Sequence, residues 1–470
     1  MPRQRPALSL ALLAFAQLII ALDYNIVYVA LPRIGTELGF TGQTLQWVVS
    51  AYAVAFGGTL LLGGRAADLL GRRRVFVFAL GLYGISSLLG GLATSPGVMI
   101  GARVVQGLGG ALLFPATLSL VNTLFPEGPR RNRALAVWGG AGASGLTLGA
   151  LLGGLLTATF GWEAVFYVNV PLAALGILAA FLVIPADPPR AARRSFDLPG
   201  ALTATAGVTF LVYVLVQGPE SGWTSPGILT GAALAVVLLA AFAVIETRTA
   251  DPLMPLRLFG NRALLSAMVI TAVFHGVFST LPYFLTVLLQ TANGYGALAT
   301  GLAFLVPSVA IAAGTQLGER LATRLGTRGT LLIGVAVAAP GTALFALGIA
   351  ADGGYGALVP GLVVSGLGQG VIWTGMWIAA ASGVAPGEQG VASGMASTTQ
   401  QVGGAVGLAL LVAVAGSGLS GGGTDTALAD GIGTSVYIAA AGLLVALVAA
   451  LALPRKPRTA APRPAAELVN

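Results

Sequence analysis

Fourteen apolar segments, each close to the length of a bilayer crossing, dominate this sequence. A membrane-spanning helix needs roughly 20 mainly apolar residues, and short charged or Gly/Pro-rich breaks separate the segments. Charged residues make up only 9% of the chain, against about 25% in soluble domains. We therefore predict an all-α membrane protein with 14 transmembrane helices, near residues 8–31, 44–64, 74–93, 97–122, 133–158, 163–184, 198–217, 225–245, 263–290, 298–317, 329–350, 356–382, 391–416 and 432–453.

The residue types on which many soluble enzymes depend are scarce. The chain has no cysteine, His275 is its single histidine, and Lys456 is its single lysine. These counts exclude thiolate and multi-histidine metal sites as well as the GxxxxGK[ST] phosphate loop. We expect no enzymatic activity, no cofactor and no bound metal, so that any energy for work comes from an ion gradient.

The basic residues are unevenly divided between the two sides of the predicted membrane. Of the 24 Lys and Arg residues, 22 fall in loops on the side of the two termini, Arg33 lies on the opposite side, and Arg103 lies within a span. Basic loops remain in the cytoplasm, so we expect a multi-pass protein of the cytoplasmic (inner) membrane with both termini cytoplasmic. The net charge of +8 then reflects topology and does not indicate nucleic-acid binding.

An internal repeat divides the chain into two parts. The pattern around Gly63 and Arg65 recurs around Gly318 and Arg320 at a constant offset of 255 residues. Parallel six-span repeats are typical of secondary transporters, and two spans are left over between them, which we expect to pack outside the core. The predicted division is an N-terminal six-helix bundle at 1–185, a linker with two additional transmembrane helices at 186–262, a C-terminal six-helix bundle at 263–454 and a cytoplasmic tail at 455–470.

Four motifs then point to one family. They are LDYNIVYVALP at residues 22–32, GRAADLLGRRR at 64–74, RVVQGLGGA at 103–111 and GLTLGALLGG at 145–154. They resemble the motifs of the fourteen-span drug:proton antiporters of the major facilitator superfamily, and the resemblance runs from about Leu22 to Leu453. It implies the major facilitator fold and an antiporter that exports hydrophobic or cationic drugs or metabolites by alternating access.

The resemblance assigns a cytoplasmic gate to the loop after the second span. Its residues are Gly64, Asp68, Gly71, Arg72 and Arg73. We expect Asp68 to lie against a helix N-terminus or an arginine of the facing half, and the arginines to pair across the gate. The alternative is a basic loop that serves topology alone. In the second-half copy Thr323 replaces Asp68, which predicts an asymmetric gate.

Proton coupling is predicted for three residues. Asp23 is the carboxylate placed well inside a span, Arg103 lies in the family's fourth-span motif, and His275 lies in the middle of the ninth span. A buried carboxylate whose proton affinity changes with a nearby arginine can carry a proton reversibly. The alternatives are a structural aspartate, an arginine that reaches the outer interface, and a neutral core histidine.

The resemblance implies two further sets of functional residues, one on an antiporter helix and one in a substrate cavity. The antiporter helix carries Gly145, Gly149, Gly153 and Gly154, with Ala150 at the family's proline position. Small residues at this spacing allow another helix to approach closely. For the substrate cavity we name polar and aromatic residues that could contact a flat or cationic compound, although packing would also explain them: Asn25, Tyr28, Gln106, Tyr283, Phe284, Trp373, Trp377 and Gln400. Asn25 and Tyr28 depart from the family motif.

The predicted partners follow from this interpretation. They are a small lipophilic or cationic substrate, protons and the lipid bilayer, with no nucleic acid, and we expect a monomer. A proton-coupled uptake symporter or a lipid translocator on the same fold is the main alternative, because a fold does not decide substrate or direction. A membrane sensor or enzyme is the alternative from another class, and it lacks any nucleophile–base pair or metal cluster in the sequence.

Overall fold

Helices form nearly all of the structure, a computed structural model that describes residues 6–40, 42–45, 47–187, 197–249, 252, 254–289, 293–295, 297–350, 354–417 and 425–454. No strand occurs within these ranges. The helices are α1 (Pro6–Glu37), α2 (Gly42–Leu45), α3 (Trp47–Leu70), α4 (Arg72–Gly91), α5 (Pro96–Leu124), α6 (Pro129–Phe160), α7 (Ala164–Tyr167), α8 (Asn169–Val183), α9 (Leu198–Ser221), α10 (Pro226–Arg248), α11 (Arg262–Phe278), α12 (Thr280–Val287), α13 (Ala297–Ala303), α14 (Leu305–Ala350), α15 (Gly354–Ala381), α16 (Gln389–Ser417) and α17 (Asp425–Leu451).

The predicted number of crossings is confirmed. Thirteen helical stretches of the described chain are long and apolar enough to span a membrane. One of them, Ala299–Ile349, has 51 residues and would be about 75 Å long if straight, more than twice the roughly 30 Å of a hydrocarbon core. It turns at Gly326, whose φ of 77° suits a residue without a Cβ. Counted as two crossings, it brings the total to fourteen.

Proline marks where several helices begin. Pro96, Pro129, Pro199 and Pro226 each occupy one of the first two positions of a helix, namely α5, α6, α9 and α10. The missing N–H of proline is not needed there, because the first turn has no intrahelical acceptor for it. These prolines fix the ends of the spans close to the predicted boundaries.

An even number of crossings puts the start of α1 and the end of α17 on one side, which we call the terminal side, with the far side opposite. We call α1–α8 the first half and α11–α17 the second half. The halves meet where α3 packs against α16 and where α6 packs against α14 and α15. Helix α9 packs against both α3 and α16, and α10 packs against α9.

Polar and apolar side chains are distributed as a bilayer requires. Leu178 and Leu182 of α8 are 63% and 85% exposed, and Val236 of α10 is 69% exposed. By contrast, Asp23 and Gln106 are fully buried. A charged or amide group within a membrane needs protein partners, so these buried groups indicate where a functional site lies.

Candidate functional site

Asp23 lies at the meeting point of three first-half helices. Its Oδ2 accepts a hydrogen bond from the Arg103 guanidinium of α5 at 2.9 Å. Its Oδ1 accepts from the amide of Gln106 on α5 at 2.9 Å and from the amide of Asn169 on α8 at 2.7 Å. The structure therefore brings Asp23 and Arg103 together as a buried ion pair with two further donors.

Arg103 is held on several sides. Its Nε donates to the backbone carbonyl of Val48 at 2.9 Å, and its Nη1 also donates to Gln106 Oε1 at 2.6 Å. The face of the Tyr52 ring lies 4.4 Å from its Cζ, a cation–π contact. With only 1% of its surface exposed, Arg103 is not an arginine that reaches the interface. The partners compensate for the cost of burying its charge.

Gln106, predicted for the substrate cavity, is part of the Asp23 network in this structure. It is fully buried, and its amide donates to Asp23 and to the hydroxyl of Ser87 at 2.7 Å. The reason is helical spacing, because Gln106 lies three residues after Arg103 and so shares its face of α5. Asn169, which sequence reasoning did not select, belongs to the same network. The available signal was an amide two residues before Pro171, at the start of an apolar helix.

The predicted antiporter glycines lie on α6 against α1. A Cβ at Gly145, Gly149 or Gly153 would meet backbone atoms of α1 between Leu18 and Ile26. This stretch of α1 includes Asp23, so the glycines set the distance between the helix that carries the carboxylate and α6. Gly154 does not share the contact, since its Cβ would find only a Val29 methyl at 4.0 Å. Gly154 lies one residue off the four-residue spacing of the other three glycines, so it faces away from the α1 backbone.

Asp68, near the terminal end of α3, lies against the first turn of α16 in the second half. Its Oδ2 accepts from the backbone N–H of Val391 at 3.0 Å, and its Oδ1 accepts from Arg72 at 3.1 Å. Arg72 also donates to the carbonyl of Pro386 and to the hydroxyl of Ser119. A carboxylate is favoured at a helix N-terminus, so these contacts hold the two halves together on the terminal side.

The two gate glycines allow close approaches of different kinds. A Cβ at Gly64 would collide with the backbone carbonyl of Gly390 across the contact between α3 and α16. Gly71 has a φ of 102° and starts the turn into α4, where a Cβ would meet the carboxylate of Asp187. Both positions therefore require glycine for a structural reason.

Arg73 was expected to pair across the gate, but within the described part of the chain its contacts lie in the first half. Its backbone N–H donates to Asp187 at 3.1 Å, and its guanidinium donates to the carbonyl of Phe181 at 3.2 Å. Both partners belong to the first half, at the end of α8 and just beyond it. The Asp187 carboxylate also accepts from the N–H of Arg74 at 3.0 Å, which anchors the start of α4 within its own half.

In the second-half copy of the gate, a neutral contact stands where the first half has a charged one. The amide of Asn132, near the start of α6, approaches the Thr323 hydroxyl of α14 at 3.4 Å. Thr323 also contacts Glu319 at 3.3 Å. The contact between the halves is thus charged at Asp68 and neutral at Thr323. This is the asymmetry that the replacement of Asp68 by Thr323 in the repeat predicts.

His275 lies apart from the Asp23 network. Its Nδ1 is 3.1 Å from the amide nitrogen of Gln400 on α16, and its ring is next to that of Phe274. Gln400, expected in the cavity, is buried and engaged with His275. Of the three predicted proton-coupling residues, Asp23 and Arg103 thus lie in the first half and His275 in the second.

The predicted cavity aromatics separate into two groups. Tyr283 is 49% exposed, whereas its neighbour Phe284 is 1% exposed and belongs to the core. Trp373 and Trp377 contact each other with ring centroids 5.9 Å apart. Their further neighbour is Trp138 of α6, at 6.5 Å from Trp373 and 5.8 Å from Trp377. Trp138 was missed from the sequence, because one tryptophan in an apolar span is equally consistent with ordinary packing.

One face of α1 changes from buried to exposed along the membrane. Leu13 and Gln17 are 0% and 4% exposed, whereas Tyr24 and Tyr28, on the same helical face, are 41% and 45% exposed. A lipid-facing surface would be exposed over its whole length. The exposed part lies toward the far side, and Asn25 is half-buried beside it.

The face of α11 and α12 that contains His275 shows the same change. Leu264 and Thr271 are fully buried, His275 is half-buried, and Pro282 is exposed. Helix α11 begins on the terminal side, as α1 does. Corresponding helices of the two halves are thus closed toward the terminal side and open toward the far side.

Comparison with known proteins settles the family. The sequence profile of the Major Facilitator Superfamily matches residues 13–408. The chain belongs to the major facilitator superfamily. This superfamily member is 38% identical to the cephamycin export protein CmcT of Amycolatopsis lactamdurans, over 94% of the chain and 93% of that protein. It is 38% identical to the puromycin resistance protein pur8 of Streptomyces alboniger, over 91% and 84%, and 36% identical to the lincomycin resistance protein of Streptomyces lincolnensis, over 97% and 93%.

Solved structures of the superfamily share the fold. The human organic anion transporter MFSD10 superposes with a TM-score of 0.67 at 18% identity, covering 95% of this chain and 100% of that one. The proton:xylose symporter XylE superposes with a TM-score of 0.67 at 16% identity, covering 95% and 94%. The major facilitator fold is therefore confirmed, and the relatives at higher identity include proteins named for antibiotic export and for antibiotic resistance.

Proposed function

We propose that this superfamily member is a proton-coupled antiporter that exports hydrophobic or cationic drugs or metabolites by alternating access. The proposed proton coupling rests on one observation. The buried carboxylate of Asp23 is paired with Arg103 where α1, α5 and α8 meet. The relatives are named for antibiotic export and resistance, which supports the outward direction over an uptake symporter or a lipid translocator.

Protonation of Asp23 changes the bonding of the whole network. The carboxylate accepts from Arg103, Gln106 and Asn169, whereas a carboxylic acid has one O–H donor and fewer acceptor sites. Arg103 keeps its charge, so it loses its partner when Asp23 gains a proton. The helices that carry these residues then shift relative to one another, and this shift biases the rocking of the halves.

His275 is assigned the second role in coupling. It contacts Gln400 where α11 packs against α16. Loss of this contact would alter the second half, as loss of the Asp23–Arg103 pair alters the first. Asp23 remains the main proton carrier, because its network joins three helices.

We infer that the terminal side faces the cytoplasm and that α9 and α10 lie outside the twelve-helix core. The excess of basic residues in terminal-side loops supports the orientation. The packing of α10 on α9, and of α9 on α3 and α16, supports a peripheral position. The bundle divisions at 1–185, 186–262 and 263–454 and a monomeric state complete the proposal; the tail at 455–470 lies outside the described residues.

The proposed resting state is outward-open, and cysteine labelling tests it. The chain has no cysteine of its own, so single substitutions can be made without background. Tyr28→Cys should react with a membrane-impermeant methanethiosulfonate added outside cells at least about tenfold faster than Gln17→Cys on the same helical face, because thiol reactivity follows exposure. Equal rates, or faster labelling of Gln17→Cys, would contradict the outward opening.

Everted membrane vesicles test the function itself. With a preformed proton gradient, acid inside, addition of a transported antibiotic should release protons, as followed by the recovery of a quenched acridine dye. Puromycin and lincomycin are reasonable first compounds, since relatives confer resistance to them. Vesicles from cells without the transporter provide the baseline. If no antibiotic of a test panel caused proton release, export by exchange would be contradicted. Uptake of a compound into the vesicles together with protons would also contradict it.

A further inference from the structure

Three tryptophans form a cluster across the contact between the halves. We call Trp138 of α6 and Trp373 and Trp377 of α15 the indole cluster. Trp138 and Trp377 meet edge to face at 87°, and Trp138 and Trp373 lie nearly parallel at 20°. Trp138 belongs to the first half and the other two to the second. Rocking of the halves would therefore separate Trp138 from its neighbours.

The cluster lies inside the membrane on the terminal side of its middle. Trp138 is five residues, about 8 Å, beyond Arg133, the last of three arginines at the start of α6. Trp373 and Trp377 are eight and four residues, about 12 and 6 Å, from the end of α15. Both helix ends are on the terminal side, and half of a hydrocarbon core is about 15 Å.

All three indole N–H groups are buried and have no hydrogen-bond partner among the residues that the structure describes. Trp138 and Trp377 are 0% and 1% exposed. A buried donor that makes no hydrogen bond costs free energy, and three such donors in one cluster need an explanation. Separation of the halves would release the donors to meet acceptors on a bound compound.

The chemistry of the cluster favours acceptors over cations. It combines aromatic faces with donors, and it contributes no acceptor atom. A cation at the indoles would meet only the ring faces and would leave the three N–H groups without acceptors. A carbonyl or carboxylate would meet these donors.

We propose that the indole cluster is the substrate-recognition site, and that it binds aromatic compounds through carbonyl or carboxylate acceptors rather than through a positive charge. The proposal rests on the proposed export function. Within its substrate range it selects hydrophobic aromatic compounds that carry acceptors, and it adds anionic ones. In the state open to the terminal side, the separated indoles offer ring faces and N–H groups to a compound entering from that side. Closure then returns the indoles to the packed arrangement of the present structure.

A matched pair of fluorescent probes tests the recognition chemistry. Anthracene-2-carboxylate and 2-(aminomethyl)anthracene share one ring system and carry opposite charges at neutral pH. Binding is measured by fluorescence anisotropy on the purified full-length transporter in nanodiscs, with empty nanodiscs subtracted. We expect the carboxylate to bind at least about tenfold more tightly, because hydrogen bonds to charged acceptors are the stronger kind.

Trp138→Phe and Trp373→Phe keep an aromatic ring and remove one N–H each. Either change should weaken carboxylate binding by about tenfold, the effect of one such hydrogen bond, and leave binding of the amine unchanged. Trp47→Phe is the matched control, because Trp47 stacks on Tyr213 between α3 and α9, away from the cluster. Melting temperatures within experimental error of the parent show that each variant is folded.

The outcomes separate this proposal from the export function. Tighter binding of the amine, or equal effects of the Trp138→Phe, Trp373→Phe and Trp47→Phe changes on both probes, would overturn the recognition site while leaving export untouched. Selective loss of carboxylate binding in Trp138→Phe supports the recognition site even if the vesicle assay shows no proton exchange. In that case the export function alone would fail.

Discussion

Asp23→Asn is expected to abolish gradient-driven efflux and substrate-induced proton release, while downhill exchange of substrate continues. The substitution keeps the shape of the side chain and removes the group that takes up a proton. In the parent, both carboxylate oxygens accept hydrogen bonds, from Arg103, Gln106 and Asn169. An amide resembles the protonated acid in charge, so it fixes the network in one of its two states.

The measurement compares two assays on the same vesicles. Proton release in everted vesicles should fall to the level of vesicles without the transporter, and exchange of labelled substrate across a membrane without a proton gradient should persist. Removing one partner of a buried ion pair costs about 3–5 kcal/mol of stability, so a lower melting temperature is also expected. Persistent exchange shows that the lost coupling is not simply lost folding.

Two comparisons sharpen the result. Asp430→Asn removes an exposed carboxylate near the start of α17 and should leave both assays unchanged. His275→Gln should reduce coupled efflux less than Asp23→Asn, because the contact of His275 with Gln400 joins two helices rather than three. Full proton-coupled efflux by Asp23→Asn would remove the central claim of the proposed mechanism.

Most of the architecture could be predicted from the sequence for simple physical reasons. A bilayer forces each crossing to have a minimum apolar length, and arginines in the intervening loops mark alternate sides. The spans therefore agree with the helices even where the structure is continuous, as in α14, where Gly326 separates two crossings. Within a bilayer, backbone hydrogen bonding leaves few alternatives to a helix.

The pair at the centre of the site was also accessible from the sequence. Asp23 and Arg103 stand out because charged residues within spans are rare. Their partners were less visible. Gln106 was placed in the cavity, and Asn169 was overlooked, since an amide in an apolar span is compatible with many positions. Only the packing of α5 and α8 against α1 decides that both amides face the carboxylate.

Aromatic residues and exposure were the least predictable features. Trp138 lies in a span whose pattern does not distinguish a core face from a contact between halves. Its role depends on the approach of α15 to α6. The residues next to Trp138 in the sequence give no information about that approach. Likewise, the change from buried Gln17 to exposed Tyr24 on one face of α1 reflects the conformation of the whole bundle.

The second large effect is expected at a glycine. Gly149→Val should abolish efflux, whereas Gly154→Val should leave it close to normal, although the family motif contains both glycines. A Cβ at Gly149 would collide with the backbone carbonyl of Leu22, the residue before Asp23, and would approach Asn25 Cβ at 3.2 Å. A Cβ at Gly154 would find only a Val29 methyl at 4.0 Å.

The reason for a functional loss at Gly149 is the position of α1. Valine there must push α1 away from α6, and overpacking of this kind costs about 1–3 kcal/mol. The bonds from Asp23 to its partners are 2.7–2.9 Å long, so a displacement of α1 by about an ångström would break them. The shift thus removes the coupling network even in a chain that still inserts and folds.

The two valine variants make a controlled comparison, because they share helix, residue type and membrane environment. Efflux in cells and the melting temperature of purified protein should both fall for Gly149→Val and remain near those of the parent for Gly154→Val. A third variant, Gly153→Val, should resemble Gly149→Val, since its Cβ would meet the backbone of Ile26 at 2.7 Å. If Gly149→Val and Gly154→Val had equal effects, the close packing of α6 on α1 would not be what positions Asp23, and the glycines would have to act through α6 alone.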